Sequence, residues 1–92
     1  MKKFAFHLQT LNSPPVLLRV LQAVQGTGIM VEDFVAGVMP FNDKYGRITI
    51  RVEAETEKIP VVKVLLESLQ EVIGVEVKDG EPVTYYKSYG TV

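Results

Sequence analysis

Arg47-Ile48-Thr49-Ile50-Arg51-Val52-Glu53-Ala54 is the stretch of sequence that decides the fold. Isoleucine or valine occupies every second position, and arginine, threonine and glutamate stand between them. Alternation with a period of two is typical of a β-strand that buries one face and exposes the other. The stretch therefore predicts a sheet with one packed face and one polar face.

The residues before this strand predict a strand, a helix and a second strand. Near the N-terminus, Phe4, Phe6 and Leu8 alternate with smaller or polar residues, which again indicates a half-buried strand. A turn at residues 12–15 precedes apolar residues at helical spacing. The predicted buried stripe of this helix is Leu17, Val20, Leu21 and Val24. Gly26-Thr27-Gly28 should end the helix through a left-handed glycine, and residues 29–39 then form the second strand.

The sequence after residue 54 again predicts a helix followed by a strand. A second helix is predicted with Pro60 near its first turn. Its expected buried stripe is Val62, Leu65, Leu66 and Leu69. Residues 72–78 predict a fourth strand, and Asp79-Gly80 is a favourable hairpin turn. Residues 83–87 are expected to return as a short fifth strand or to pack against a partner.

The predicted order is thus β-α-β-β-α-β, which defines the ferredoxin-like fold, an α+β two-layer sandwich. Right-handed crossovers would place both helices on one face of a four-stranded antiparallel sheet. The expected domain covers residues 1–78. Residues 79–92 form a C-terminal hairpin or interface tail in this prediction, with Tyr85, Tyr86 and Tyr89 as candidate interface residues.

Composition excludes several classes of protein. Ninety-two residues suffice for one domain, and the net charge of −1 argues against a nucleic-acid partner. The sequence has neither a basic run for an acidic membrane surface nor an apolar stretch long enough to span a membrane. Cysteine is absent, which removes disulfides and thiolate metal sites. With no signal-peptide pattern at the N-terminus, the expected location is cytoplasmic.

Catalytic and cofactor motifs are missing from the sequence. There is no nucleophile–histidine pattern, no acid–base pair and no glycine loop that would cradle a phosphate. The single histidine, His7, is expected on the polar sheet face, where contact with solvent or a partner is the simpler interpretation. Glu32 and Asp33 lack further ligands for a cation. The prediction is a protein that is not an enzyme and has no metal and no cofactor.

Two functional variants of the fold also fit poorly. RNA-recognition sheets stack bases on aromatic residues of their open face, whereas the open-face positions of the two central strands carry none. Those positions are Ala5, His7, Gln9, Arg47, Thr49 and Arg51. A copper chaperone would need a cysteine pair in its first loop.

Several segments, in order, resemble ACT domains. Residues 12–20 are similar to the asparagine–x–proline–glycine–apolar–leucine start of the first ACT helix, and residues 27–34 to the opening of the second ACT strand. Pro40 and Asp43, then residues 48–52 and residues 69–77, resemble later parts of the small regulatory subunit of acetolactate (acetohydroxyacid) synthase. The resemblance covers roughly residues 2–78 and matches a short, single-domain form. Pro15 replaces the family's glycine, and Met30 replaces its asparagine.

The resemblance implies a regulatory function for a side-by-side homodimer. Two copies would pair through their sheets, and a small amino acid would bind where the first loop of one subunit meets the second strand of the other. The implied ligand-binding residues are Asn12, Ser13, Pro14, Pro15, Val16, Leu17, Ile29, Met30 and Val31. The implied partner is a large catalytic subunit, such as that of acetolactate synthase in branched-chain amino-acid synthesis. The unpaired N–H groups of a helix N-terminus would suit the ligand's carboxylate.

Plainer interpretations of the same residues remain open. Residues 12–15 would serve equally as a cap and turn, and Val16 and Leu17 as core. The competing hypothesis is a ligand-free module that assembles or activates a larger enzyme. Pro15 and Met30 favour this second hypothesis, because they stand where the family has a backbone donor and a side-chain amide.

Overall fold

The computed structural model describes residues 1–80. It contains six elements: β1 (Lys2–Leu11), α1 (Pro14–Gln25), β2 (Met30–Met39), β3 (Asn42–Ala54), α2 (Lys58–Glu67) and β4 (Val72–Asp79). The expected fifth strand and tyrosine-rich tail lie outside the described residues. Among the described residues, no helix is long and apolar enough to cross a membrane.

The four strands form one sheet in the order β2-β3-β1-β4, with every neighbouring pair antiparallel. β1 is paired on both sides: Phe6 is opposite Ile50 of β3 and Val77 of β4. β2 and β4 are the edges of the sheet. The predicted ferredoxin-like α+β fold is confirmed.

The apolar faces of β1 and β3 form the floor of one core. Phe6, Ile50 and Val52 are completely buried, as the alternation predicted. The helices supply the other half of this core through Val16, Val20, Val24, Ile59, Val62 and Leu66.

The buried stripes of both helices differ in part from those expected. In α1 the stripe runs through Val16, Val20 and Val24, while Leu17 is 44% exposed. In α2, Ile59 is buried and Leu65 is exposed. Several apolar residues lie on neighbouring helical positions in both helices, so the spacing alone allowed more than one stripe. The buried stripe of each helix is the one that packs against the sheet.

The glycine that takes the left-handed conformation after α1 is Gly28, with φ of 79°. Gly26, which directly follows the helix, keeps right-handed helical angles, with φ of −63°. Its N–H donates to the Gln22 carbonyl. The chain therefore makes a further turn before it reverses into β2.

β3 begins five residues earlier than the period-two stretch predicts, at Asn42 instead of Arg47. Its first residues pair with the end of β1, where Leu11 is opposite Tyr45. On the β2 side the register shifts between Val38 and Met39, so that Met39 is opposite Asn42. The connection between β2 and β3 is the two-residue turn Pro40-Phe41.

Gly46 lies where three strands meet and has no room for a side chain. A Cβ there would lie 3.1 Å from Thr10 Oγ1 and 3.4 Å from the Gly37 carbonyl oxygen. Thr10 is 1% exposed, so its side chain has little freedom to move away. Gly74, on the edge strand β4, has no atom within 4 Å of its Cβ position.

We expect the Gly46→Ala substitution to lower the free energy of unfolding by about 1–3 kcal/mol, the usual cost of overpacking. Gly74→Ala is the matched control, since it adds the same methyl group to a strand in open space. It should leave stability unchanged or raise it slightly. Urea unfolding of both variants measures the difference, and equal midpoints would contradict the packing argument.

Candidate functional site

A pocket of about 370 Å³ lies where β1 ends and α1 begins. The β1–α1 loop and the first turn of α1 form one side, and the second half of β2 forms the other. Its lining residues are Thr10, Leu11, Asn12, Ser13, Pro14, Val16, Leu17, Ala36, Gly37, Val38, Gly46, Arg47 and Ile48. Five of the nine residues expected from the sequence therefore meet in one cavity.

The start of α1 presents no free backbone donor to this pocket. Pro14 and Pro15 occupy the first two helical positions and have no N–H. The N–H groups of Ser13 and Val16 donate to the carbonyls of Leu11 and Ser13, each at 3.1 Å. The expectation of unpaired N–H groups at this helix start is wrong, because two prolines remove them and local turns use the rest.

Ser13 is the N-cap residue of α1, yet its side chain does not cap the helix. Its backbone is extended, with φ of −125° and ψ of 143°, and no side-chain hydrogen bond to the first turn forms. The Ser13 Oγ is buried without a hydrogen-bond partner among the described residues. A buried hydroxyl without a partner costs free energy, so a shift of the loop that exposed this atom to the pocket would let a ligand satisfy it.

The side chain and the backbone N–H of Asn12 both bind the start of β3. Its side-chain Nδ2 donates to the Asp43 carbonyl at 2.7 Å, and its backbone N–H donates to the Lys44 carbonyl at 2.8 Å. Asn12 thus fastens the start of β3 to the end of β1. Its Oδ1 remains the acceptor that this side chain can offer to a ligand.

The apolar residues of the loop divide between core and pocket. Val16 is 3% exposed and belongs to the core. Leu17 is exposed and forms a pocket wall with Leu11 and Val38, which are exposed to a similar degree. Pro15 is exposed and does not line the pocket.

Ile29, Met30 and Val31 lie at the far end of the same sheet within one chain. Met30 is opposite Glu53, which is opposite Lys3 at the start of β1. Asn12 follows the other end of β1. Residues 29–31 and residues 12–17 are therefore separated by the length of β1, which is about 30 Å at roughly 3.3 Å per strand residue. Within a single chain, the strand residues beside the loop are Ala36, Gly37 and Val38.

Sequence reasoning missed these three residues because it did not assign the faces of β2. The signal that was available is the run of small residues Ala36-Gly37, which leaves space beside the loop. The irregularity that obscured the pattern is a register shift between Val31 and Asp33.

Charged side chains gather on the open face of the sheet, opposite the helices. Arg51 Nη1 lies 3.5 Å from Asp33 Oδ2, and Lys3 Nζ lies 3.1 Å from Glu32 Oε2. Arg47 is the one charged residue among the described residues that line the pocket, and it directs its side chain to this open face. Its Nε is 3.7 Å from the Cβ position of its cross-strand neighbour Gly37. The other described lining residues are uncharged.

Metal ligation has no support in the described part of the chain. Nowhere in residues 1–80 do three histidine, aspartate or glutamate side chains come together in a way that could hold an ion. Glu32 instead pairs with Lys3, and Asp33 with Arg51.

No protein-family model matches the sequence, and no curated protein matches it. Solved structures do match the fold. The ACT domain of a GTP pyrophosphokinase from Chlorobium tepidum has a TM-score of 0.72 at 12% identity, covering 84% of this chain and 97% of that one. The chain has the fold of an ACT domain.

Two further matches to this fold are a small subunit and a regulatory subunit of other enzymes. The acetolactate synthase small subunit from Thermotoga maritima has a TM-score of 0.73 at 18% identity, covering 92% of this chain. The regulatory subunit of aspartate kinase from Thermus thermophilus has a TM-score of 0.65 at 20% identity, covering 84% of this chain. The chain spans about half of each of these two proteins, 51% and 50%.

The contrasting roles of Asn12 and Ser13 give a stability prediction. Asn12→Ala removes the hydrogen bond to Asp43, so we expect the free energy of unfolding to fall by about 1 kcal/mol. Ser13→Ala removes a buried hydroxyl that has no partner, so we expect no loss, although an N-cap serine ordinarily contributes about 0.5–2 kcal/mol. Chemical denaturation of the two variants side by side checks this. A destabilised Ser13→Ala protein would show that the hydroxyl does cap α1.

Proposed function

We propose that this protein is a regulatory domain that binds a small amino acid with a branched apolar side chain. It would act as a homodimer and control a biosynthetic enzyme, such as acetolactate synthase in branched-chain amino-acid synthesis. The observation that carries the proposal is the pocket between the β1–α1 loop and the second half of β2. The shared fold with solved regulatory subunits supports it.

The size and walls of the pocket suit such a ligand. Its volume of about 370 Å³ is at the small end of the range of roughly 300–1,000 Å³ that ligand sites occupy. Leu11, Leu17 and Val38 offer partly exposed apolar surface around it. A branched aliphatic side chain would bury this surface, which is a favourable contribution to binding.

The charged ends of an amino acid need groups that the described residues of one chain do not offer at this pocket. The backbone donors of residues 11–16 are already used or absent, and Ser13 Oγ is the one hydroxyl of the loop without a partner. β2, however, is an edge strand, so alternate N–H and C=O groups along it point away from the sheet. In a dimer, those main-chain groups of the second copy that the pairing of the two strands leaves free can hold both an ammonium and a carboxylate.

Pairing of two β2 edges would deliver those groups to the pocket. β1 and β2 run in the same direction, because both are antiparallel to β3. Antiparallel pairing of β2 with its copy therefore sets the beginning of one β2 against the end of the other. The partner's Met30, with its two neighbours in sequence, would then lie beside Ala36, Gly37 and Val38, next to the loop. This arrangement reunites the residues that lie about 30 Å apart within one chain.

A ligand screen tests the proposal. The melting temperature of the protein is measured with each of the standard amino acids. We expect valine, leucine or isoleucine to raise it, because a ligand at 100 times its Kd adds about 2.7 kcal/mol to the free energy of unfolding. Ser13→Ala should weaken this response while leaving the unliganded protein stable. A flat response across the panel would overturn ligand binding.

The same site should exist only in the dimer. Val35→Lys puts like charges near the two-fold axis of a β2–β2 pair, beside Arg47 and Arg51 of the same sheet face, where they repel. We expect this variant to sediment as a monomer and to lose the amino-acid response. Ile73→Lys is the matched control: Ile73 is an exposed apolar residue on β4, the opposite edge of the sheet. It should behave as the wild type, and a dimeric Val35→Lys protein would contradict pairing through β2.

A second candidate function is a ligand-free module that assembles or activates a larger enzyme. The specific observation in its favour is the pair Pro14-Pro15, which leaves the helix start without donors. Co-purification with a large thiamine-diphosphate-dependent subunit, whose activity rises on association but does not respond to any amino acid, would select this function.

A further inference from the structure

Phe41 is the most exposed large apolar residue among those described. It sits with Pro40 in the two-residue turn between β2 and β3, and its side chain is 101% exposed. A buried phenylalanine removes roughly 150–250 Å² from water. Among the described residues nothing covers this ring at the tip of the hairpin, and contact with another chain would bury the apolar area that the monomer leaves in water.

The opposite end of β2 carries a small cavity without an assigned occupant. Its volume is about 170 Å³, and its lining residues are Met1, Gly28, Ile29, Met30, Glu53, Ala54, Glu55 and Lys58. The volume lies below the roughly 300 Å³ at which small-molecule sites begin. It is close to the roughly 150 Å³ that accommodates a benzene ring inside a protein. The cavity therefore has the size of one aromatic side chain.

Pairing through β2 brings these two features together. When two β2 strands run antiparallel along their whole length, the hairpin tip of each chain extends past the beginning of the partner's strand. Phe41 is two residues beyond the end of β2 at Met39, and Gly28 is two residues before its beginning at Met30. A two-fold axis near the middle of the strand sets these positions at the same level. The arrangement occurs twice, once on each side of the axis.

We propose that Phe41 of each protomer inserts into the cavity beside Met30 of the partner subunit. This inference rests on the proposed dimer and adds the contact that fixes its register. Phe41 is an apolar ring, and the cavity supplies two methionine side chains, which are flexible and make favourable sulfur–aromatic contacts. The charged lining residues Glu53, Glu55 and Lys58 would have to keep their charged groups in water. Met30 is 59% exposed in the single chain, so it is free to close over a ring. The open space at the Cβ position of Gly28 leaves room for the ring to enter.

The contact would also connect the dimer to the ligand pocket. Asn12, in the pocket loop, holds the Asp43 and Lys44 carbonyls directly after the turn that carries Phe41. A ligand that moves the loop would therefore move the residue inserted into the partner. Such a connection is a physical basis for coupling between ligand binding and dimer geometry.

Cross-linking tests the position of the contact. The chain has no native cysteine, so any cross-link that forms must join the engineered cysteines. Phe41→Cys combined with Met30→Cys should form interchain cross-links with a short bifunctional thiol reagent, since the two positions are offset by two residues along the paired strands, which is farther than the Cα separation of about 4.4–6.8 Å that a disulfide spans. Each single variant should form none, because the two copies of either position lie at opposite ends of the paired strands. Phe41→Cys with Ile73→Cys is the matched negative control.

Dimer affinity tests the energy of the contact. Phe41→Ala should raise the dimer Kd about tenfold or more, as expected for an inserted aromatic residue, while the free energy of unfolding of the monomer stays unchanged. Leu18→Ala removes another exposed apolar residue, on α1, and should leave the Kd unaltered. The proposal requires both results. A dimer of wild-type affinity in Phe41→Ala, or no cross-link between positions 41 and 30, overturns it.

The outcomes separate this contact from the proposed function. A wild-type chain that sediments as a monomer removes the dimer and this contact together. A β2-paired dimer that still responds to an amino acid but ignores Phe41→Ala removes this contact alone.

Discussion

The pairing of β1 with β3 is the interaction on which the rest of the structure depends. These are the two inner strands, and the register that sets Phe6 against Ile50 also sets their apolar faces on the same side. A shift of one residue would turn every side chain of one strand to the opposite face. The helices can cover the sheet only because this register presents a continuous apolar surface to Val20, Val62 and their neighbours.

The same pairing places the candidate site. β1 and β3 stay paired as far as Leu11 and Tyr45, and Asn12 then continues the contact through its backbone and its side chain. The loop before α1 is therefore bound to the start of β3. Two prolines fix the direction in which the loop enters the helix. These constraints give a rigid pocket wall, and they also consume the polar groups that a helix start would otherwise offer. In the proposed function, a ligand bound here would therefore need further polar groups from a second chain.

β2 is the element through which a second chain would contribute. It is an edge strand of the sheet that residues 1–80 form, and no described residue pairs with its open edge. The two cavities that the proposed dimer would complete lie at its two ends. The pocket is at its end, and the small cavity is at its beginning. A two-fold axis through the strand would place the end of each β2 beside the beginning of the partner's β2. A single pairing would therefore complete both the pocket and the small cavity. The exposed Phe41 gives this pairing a specific contact beyond main-chain hydrogen bonds.

The sequence by itself determined the order of the elements, the ferredoxin-like fold and the buried faces of β1 and β3, because a period of two is readable without tertiary information. It also located the loop, since Pro14 and Pro15 mark a helix start. Only the tertiary structure decided the stripe of α1, the role of Asn12 and the strand residues of the pocket. Each depends on partners distant in the sequence: the Asp43 carbonyl that Asn12 binds is 31 residues away, and the faces of β2 follow from a register shift that its alternation does not reveal.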